Sequence, residues 1–240
     1  MAQSWQPKRV LLKLSGEILA GKNGAMYDHV LMERLARELK DVLASGTEIM
    51  VVVGAGNIVR GAELAVEQFD RVNADYMGML AININGLALQ DVFERHGLET
   101  RVMSAIEAHE IAEPFIRRRA IRHAEKGRVV ILTGGTGNPF FTTDSAAVLR
   151  ANELGCDLLL KGTKVDGVYS DDPKRNPAAV RYERVSYDEV IAKALKVMDM
   201  TAFTMARDSS LPIVVFDILK EGTLIKAARG EAEVGTLVTV

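Results

Sequence analysis

Short, uninterrupted apolar runs recur along this chain, each closed by a polar or glycine-rich turn and separated by helix-like periodicity. Residues 10–14 (VLLKL), 48–53 (EIMVVV), 100–103 (TRVM), 128–132 (RVVIL), 157–161 (DLLLK), 213–216 (IVVF) and 235–240 (GTLVTV) read as strands. Strands that are apolar at successive positions are buried on both faces, which requires a mostly parallel central sheet sandwiched by helices. Helical patterns fill the intervals. They cover residues 28–45, where Leu31, Leu35, Leu39 and Leu43 share a face, and residues 75–95, 117–126, 145–153, 187–196 and 201–208. No repeat, low-complexity tract or long Pro/Ser linker interrupts them, so residues 1–240 are expected to form one compact α/β domain, with lobes at about 1–130 and 131–240.

In open α/β sheets ligands sit beyond the carboxyl ends of the strands. The distinctive loops of this chain all follow strands, so they are expected to converge on one edge. The segment TGGTGNPFFTTDSAA at 133–147 joins a strand to a helix start. Its glycines permit a tight path near a ligand, and free N–H groups at a helix N-terminus suit an anion. Thr142, Thr143 and Asp144 supply oxygens there; Asp144 either caps the helix alongside Thr143 or orients a lysine and helps place a magnesium-bound phosphate. KLSGE at 13–17 puts Lys13 in an apolar strand, where a charge is costly unless paired. It either reaches solvent or serves as a point charge on a phosphoryl group. Ser15 and Gly16 let backbone approach that phosphate, while Glu17 reads as an ordinary surface or helix-start acid.

KGTKVDGVYSDDP at 161–173 ends a second strand on a lysine, Lys161. Two strand-end lysines in one site would neutralise charge on a transferring phosphoryl group. Thr163, Tyr169 and Asp172 are placed to frame a base and ribose, although the Asp-Gly and Asp-Pro steps are also turn formers. GAGNIVRG at 54–61 is a further glycine-rich turn; Val59 occupies the third glycine position, so it is not the dinucleotide fingerprint. Arg60 is either a bidentate phosphate clamp or a surface arginine. No G-x-x-x-x-G-K-[ST] is present, which disfavours a P-loop enzyme.

The remaining features mostly exclude. A formal net charge of −2 gives no nucleic-acid signature. One cysteine, Cys156, permits no internal disulfide, suits a reducing compartment, and reads as packed rather than nucleophilic. No run reaches the roughly 18 apolar residues of a membrane span, and the N-terminus lacks a signal-peptide pattern, so a cytoplasmic location is expected. His29, His96, His109 and His123 have no metal-ligand spacing. Met77 and Met79 read as core, and Asp199 as a helix cap in preference to a site residue. The basic run Arg117, Arg118, Arg119, Arg122, His123 and Lys126 is either a solvated helix face or a seat for an anionic effector.

Taken together, KRVLLKLSGE, DRV, MGMLA, TGNPFFTTDSAA, KVDGVY, LKVMD and the GTLVTV end occur in an order that resembles the bacterial uridylate kinases of the amino-acid-kinase superfamily. The resemblance spans nearly the whole chain and implies the carbamate-kinase-like fold. It implies transfer of the ATP γ-phosphoryl group to UMP, with Mg²⁺ carried by the nucleotide and no direct protein ligand. Lys13, Lys161 and Asp144 would be catalytic. Lys13, Leu14, Ser15, Gly16, Gly56, Arg60, Thr163, Tyr169 and Asp172 would hold ATP. Ala55, Asp75, Thr136, Gly137, Asn138, Pro139, Phe140, Phe141, Thr142 and Thr143 would hold UMP, Asp75 through the ribose hydroxyls. The N-terminal lobe would serve mainly UMP and oligomer contacts, the C-terminal lobe mainly ATP. The resemblance also implies a homohexamer in pyrimidine nucleotide synthesis, activated by GTP and inhibited by UTP, with Arg101, Arg117, Arg118, Arg119 and Arg128 at an effector site between subunits. Three positions depart from the family pattern: Ala55 stands where a glycine is usual, Tyr76 where histidine is frequent, and GKNGAM at 21–26 only partly matches the glycine-rich segment linked to GTP activation. Other kinases of the same fold, acting on an acidic amino acid, and a non-catalytic nucleotide-sensing or oxyanion-storage relative, are the competing readings.

Overall fold

The computed structural model describes residues 6–59, 69–171, 173, 175–195 and 197–240. Nine strands form one sheet among these residues: β1 (Arg9–Leu14), β2 (Glu48–Val53), β3 (Thr100–Ser104), β4 (Glu113–Pro114), β5 (Val129–Thr133), β6 (Leu158–Thr163), β7 (Arg184–Ser186), β8 (Ile213–Asp217) and β9 (Gly235–Thr239). Their spatial order is β4-β3-β5-β2-β1-β6-β8-β9-β7. Every neighbouring pair is parallel except β8 with β9. The central strands β1, β2, β5 and β6 are almost wholly buried, as their continuous apolar sequences require.

Helices cover both faces. We number them α1 (Gly16–Leu19), α2 (His29–Ala44), α3 (Arg71–Arg95), α4 (Arg117–Glu125), α5 (Thr143–Leu154), α6 (Tyr187–Ala192), α7 (Met200–Asp208) and α8 (Thr223–Ala228). The two-residue period of a strand sorts its side chains. Leu12, Leu14, Leu158 and Leu160 join α2, α3 and α8 in one core layer, whereas Leu11 and Leu159 join α4, α5, α6 and α7 in the other. Lys13 and Lys161 share the parity of Leu11 and Leu159, so both lie on the α5 side of the sheet.

Side-chain caps fix several helix starts. Asp28, Thr142, Ser186 and Asp199 each accept a backbone N–H from the first turn of α2, α5, α6 and α7 respectively. Asp70 caps α3 through the N–H groups of Val72 and Asn73, so this helix begins four residues before the periodicity suggests. Thr142 is the α5 cap, which places Thr143 and Asp144 inside the first turn of the helix, so of the two alternatives for Asp144 the one not realised is capping alongside Thr143. Helix α6 is shorter than residues 187–196: Ala194 turns to φ 49°, and Leu195 N–H closes onto Val190 O. Met77 is exposed, against the expected core position, while Met79 is buried. The short strands β4 and β7 and helix α8 carry too little pattern to stand out in sequence. No helix among the described residues is long and apolar enough to cross a membrane.

Candidate active site

The sheet reverses its direction of growth at β1, with β2 on one side and β6 on the other. That switch point is where an open α/β sheet leaves a crevice for ligand. The parallel register sets Lys13 directly opposite Lys161. Between them, from the first turn of α5, comes Asp144. Its Oδ1 lies 2.5 Å from Lys13 Nζ, and its Oδ2 accepts a 2.5 Å hydrogen bond from Lys161 Nζ. Lys13 and Lys161 are 7% and 8% exposed, so this triad is nearly dry.

Burial pushes the Asp144 carboxyl upward, but the attraction of the two lysines overrides it and holds the group below its usual range. Lys161 is driven the other way: burial is the larger effect and the neighbouring carboxylate only partly restores its charge, leaving it at about 8. Two ammonium groups on one carboxylate leave a net positive charge. Phosphate oxygens arriving beside it would favour both charged lysines. The triad is thus a preorganised cationic seat whose geometry is set before ligand arrives.

A second carboxylate braces α5. Asp199 accepts from the Thr142 and Ser145 hydroxyls through its two oxygens, and also takes the N–H of Ala202 as cap of α7. It is therefore the helix cap expected from sequence, and it braces the start of α5 as well. Asp199 also adds to the negative field on Lys161.

Two glycine loops meet beside the triad. A Cβ on Gly16 would lie 2.4 Å from Gly56 N, and one on Gly54 would lie 3.2 Å from both Gly16 N and Thr143 Oγ1. Close approach, rather than unusual dihedrals, thus explains these glycines. Ala55 is among the residues with negative φ, so its methyl group strains nothing in the backbone; it lies in the wall of an adjoining cavity.

That cavity is lined by Ala55, Val59, Arg71, Asp75, Gly78, Met79, Ile82, Gly135, Thr136, Asn138, Phe141, Thr142 and Thr143. Of the residues expected on the acceptor side, Ala55, Asp75, Thr136, Asn138, Phe141, Thr142 and Thr143 come together here. Gly137, Pro139 and Phe140 form the turn behind, where Phe140 adopts φ 71° and Gly137 φ 81°. Asp75 Oδ2 accepts from Phe140 N at 2.7 Å and from Arg71 Nε at 2.9 Å, and the Arg71 guanidinium stacks 5.5 Å from the Phe140 ring. Val59, Arg71, Gly78, Met79, Ile82 and Gly135 also line the cavity, outside the expected acceptor set; the signals for Arg71 were its place in the DRV phrase and its opposite charge four residues before Asp75.

On the other side of the crevice, Thr163 Oγ1 donates to backbone carbonyls at Val165 and Phe216, and Tyr169 donates to Asp166 at 2.7 Å. A separate cleft runs past Tyr169, lined among others by Val165, Asp171, Asn176, Lys193 and Val197. Arg60 and Asp172 lie outside the described residues. Cys156 has its thiol pushed up to about 12 by burial and packs on Met50, as an inert core group would. No cluster of three metal-ligating side chains occurs among the described residues.

The basic run divides. Arg101 and Arg119 approach Glu113 at 3.8 and 3.5 Å, and His123 Nε2 meets it at 3.3 Å. Arg128 contacts His123 Nδ1 and pairs with Glu99. Arg117 instead turns to the Glu153 carbonyl, and Arg118 is exposed.

Comparison with known proteins agrees with this geometry. The model of the amino acid kinase family matches residues 8–217. The chain is 54% identical over 230 residues to the uridylate kinase of Methylococcus capsulatus, covering 96% of each. It is likewise 54% identical over 231 residues to that of Xanthomonas campestris pv. campestris, again covering 96% of each. The solved structure of UMP kinase from Bacillus anthracis superposes with a TM-score of 0.94 at 41% identity, over 98% of this chain and 97% of that one. The chain therefore belongs to the amino acid kinase family, among its uridylate kinases.

Proposed function

We propose that this protein transfers the γ-phosphoryl group of ATP to UMP, giving UDP and ADP, a step in pyrimidine nucleotide synthesis. The observation that carries the reading is the Lys13–Asp144–Lys161 triad at the β1/β6 crevice, next to a cavity walled by the 133–143 loop. A phosphate oxygen of UMP attacks the γ-phosphorus in line as the bond to the bridging oxygen of ADP breaks. That oxygen is already ionised, so no strong base is required, and the protein contributes position and charge. Lys13 and Lys161 draw electron density from the equatorial oxygens, and Asp144 keeps the two ammonium groups aimed at one point. We assign no covalent intermediate, because the Asp144 carboxylate is held by both lysines.

On the donor side the reading uses Lys13, Leu14, Ser15, Gly16, Gly56, Thr163 and Tyr169, together with Arg60 and Asp172. On the acceptor side it uses Ala55, Asp75 and Thr136 to Thr143, and we add Arg71, which holds the Asp75 carboxylate in place. Each lobe lends to the other: Lys13 and Gly16 come from the first 130 residues yet serve ATP, and the 133–143 loop comes from the second yet serves UMP. Mg²⁺ fits as an ion carried on the ATP phosphates, since the one central carboxylate is already neutralised by lysine; when bound it would shield the β- and γ-phosphate charge.

A homo-oligomer is supported by α3, whose Tyr76, Met77, Leu80 and Ile84 are 42%, 38%, 56% and 49% exposed at helical spacing. Such a stripe on an otherwise apolar helix suits burial against another copy. A hexamer, a cytoplasmic location, activation by GTP and inhibition by UTP follow the family resemblance; the Arg101, Arg119 and Arg128 cluster supports an anionic effector near β3 and β4. ADP production from ATP and Mg²⁺ is the test, with UMP, CMP, dTMP, aspartate, glutamate and carbamate supplied separately. Strong turnover with UMP is the expected result; turnover only with an amino acid or carbamate would overturn the substrate, and silence throughout would overturn the reaction.

A further inference from the structure

Helix α3 buries two carboxamides, Asn83 and Asn85. The Asn83 amide meets no hydrogen-bond partner among the described residues, whereas Asn85 is fully engaged. Asn85 is 0% exposed. Leucine would suit that environment without needing any partner, whereas a buried amide is costly unless its donors and acceptors are met. At Asn85 all of them are. Asn85 Nδ2 donates to Gly54 O at 2.7 Å and to Asn57 Oδ1 at 2.8 Å. Its Oδ1 accepts from Tyr27 OH at 3.0 Å and from Asn57 Nδ2 at 3.1 Å. Asn57 Nδ2 also reaches Met26 O at 3.2 Å. The Gly54 carbonyl fixes the amide orientation, because only the NH2 side can face it.

These partners are not scattered. Gly54 is the residue at which the β2 loop touches both Gly16 N and Thr143 Oγ1 within 3.2 Å of a built Cβ. Asn57 Oδ1 is 2.6 Å from where a Gly16 Cβ would stand. Gly54 N–H donates to Leu14 O at 2.9 Å, so its carbonyl is held by Asn85 and its amide by β1. The junction of the Lys13–Gly16 loop, the Gly54–Asn57 loop and the start of α5 is thereby pinned from behind by one side chain from the middle of α3, the helix that carries Asp75 near its start.

We propose that Asn85 is a positioning residue, acting with Asn57 to hold the Gly54–Asn57 loop at the spacing that lines up donor and acceptor phosphates. It touches neither nucleotide. Its effect is on alignment, and misplacement of order 1 Å can lower a rate by roughly 10²-fold without loss of binding. The inference rests on the phosphoryl-transfer reading above.

The test compares Asn85→Leu, Asn57→Ala and Tyr27→Phe in the full-length chain. We expect kcat to fall about 10- to 100-fold in the first two, with KM for ATP and UMP changed less than about threefold. Amide hydrogen exchange in residues 54–57 should accelerate in both, and Asn85→Leu should add little to Asn57→Ala in the double variant. Tyr27→Phe leaves the Gly54 bonds intact and should stay within about threefold of the parent. Asn57 is half-buried, so its truncation keeps the test open if Asn85→Leu fails to fold. Wild-type kcat with unchanged exchange in Asn57→Ala would overturn the proposal, as would strict additivity of the two substitutions. Exchange reports on the loop whatever the substrate, so a parent enzyme inactive toward UMP would sink the functional reading, while unchanged exchange in Asn57→Ala would sink this one.

Discussion

Two places in this molecule gather several cations around a single carboxylate, and they behave differently. At the centre of the sheet, Asp144 lies 2.5 Å from both lysines, with side chains only 8 to 15% exposed. At the sheet edge, Glu113 is 32% exposed and meets Arg101, Arg119 and His123 at 3.3 to 3.8 Å. The pattern of charge is similar; the surroundings are not. Coulomb energy scales inversely with both distance and effective dielectric, so the central groups dominate one another while the peripheral groups are shared with water and salt. Burial makes the central charges costly to leave unpaired, and that cost keeps them in place. The edge cluster, partly open to solvent, carries little of that cost.

Removing each carboxylate breaks the comparison most sharply. Asp144→Ala strands two buried ammonium groups side by side, and breaking a buried pair costs about 3–5 kcal/mol. We expect a large drop in melting temperature together with turnover reduced on the order of 10³-fold, by analogy with losing a preorganised electrostatic group. Glu113→Gln, read in the same melting experiment, should cost less than about 1 kcal/mol. Equal destabilisation by the two would mean that exposure does not separate the sites.

Lys161→Ala keeps the Lys13–Asp144 pair and should fold, yet lower kcat by on the order of 10²–10³. Near-normal turnover in that variant would remove Lys161 from the mechanism. A smaller effect concerns pH. Lys161 sits at about 8 when folded, below the ordinary lysine value of 10.5. Its charge is lost as pH rises through about 8, so kcat/KM should decline above that point. Stability moves the opposite way. Between about 8 and 10.5 the unfolded chain holds the extra proton, so the unfavourable contribution of this lysine is relieved as pH rises. Lys161→Arg, permanently charged, should lack the alkaline limb; a limb that persists there belongs to another group.

The smallest expected effect on basal rate lies at the edge. Replacing Arg117, Arg118 and Arg119 with alanine should abolish activation by GTP while basal turnover stays within about twofold, measured in the same ADP assay. Unchanged activation would return these residues to a solvated helix face. The structure already separates Arg119, which faces Glu113, from Arg117, which faces Glu153.

The centre was also far more legible in sequence than the periphery. A lysine ending an apolar strand is conspicuous because nothing in strand packing asks for it, and Lys13 and Lys161 stood out on that ground alone. The helices declared themselves where one apolar face met a polar one, as in α2. Helix α3 gave no such contrast at its start, so its first turn, with Arg71, was missed; what begins it is the side chain of Asp70. Asn85 was invisible for a related reason. An asparagine within an apolar helix carries no local pattern, and its partners Gly54, Asn57 and Tyr27 are distant in sequence. The early end of α6 depends on alanine taking a left-handed conformation at Ala194, which composition does not announce. Asp199 was legible as a cap; that the same carboxylate also steadies the start of α5 could be read only once the two helices were side by side.

The pairing of Lys13 with Lys161 across β1 and β6 has a consequence for how the chain can vary. Side chains along a strand alternate between faces, so a shift of one residue in either strand would turn one lysine away from Asp144. Inserting or deleting a single apolar residue inside β1 or β6 would leave net charge and every loop sequence intact and still dismantle the triad. Loops that bring no residue to the crevice are under no such restriction. Tolerance of length change should therefore fall into two classes along this chain: permissive in the connections away from the crevice, and near zero within a few residues upstream of each lysine.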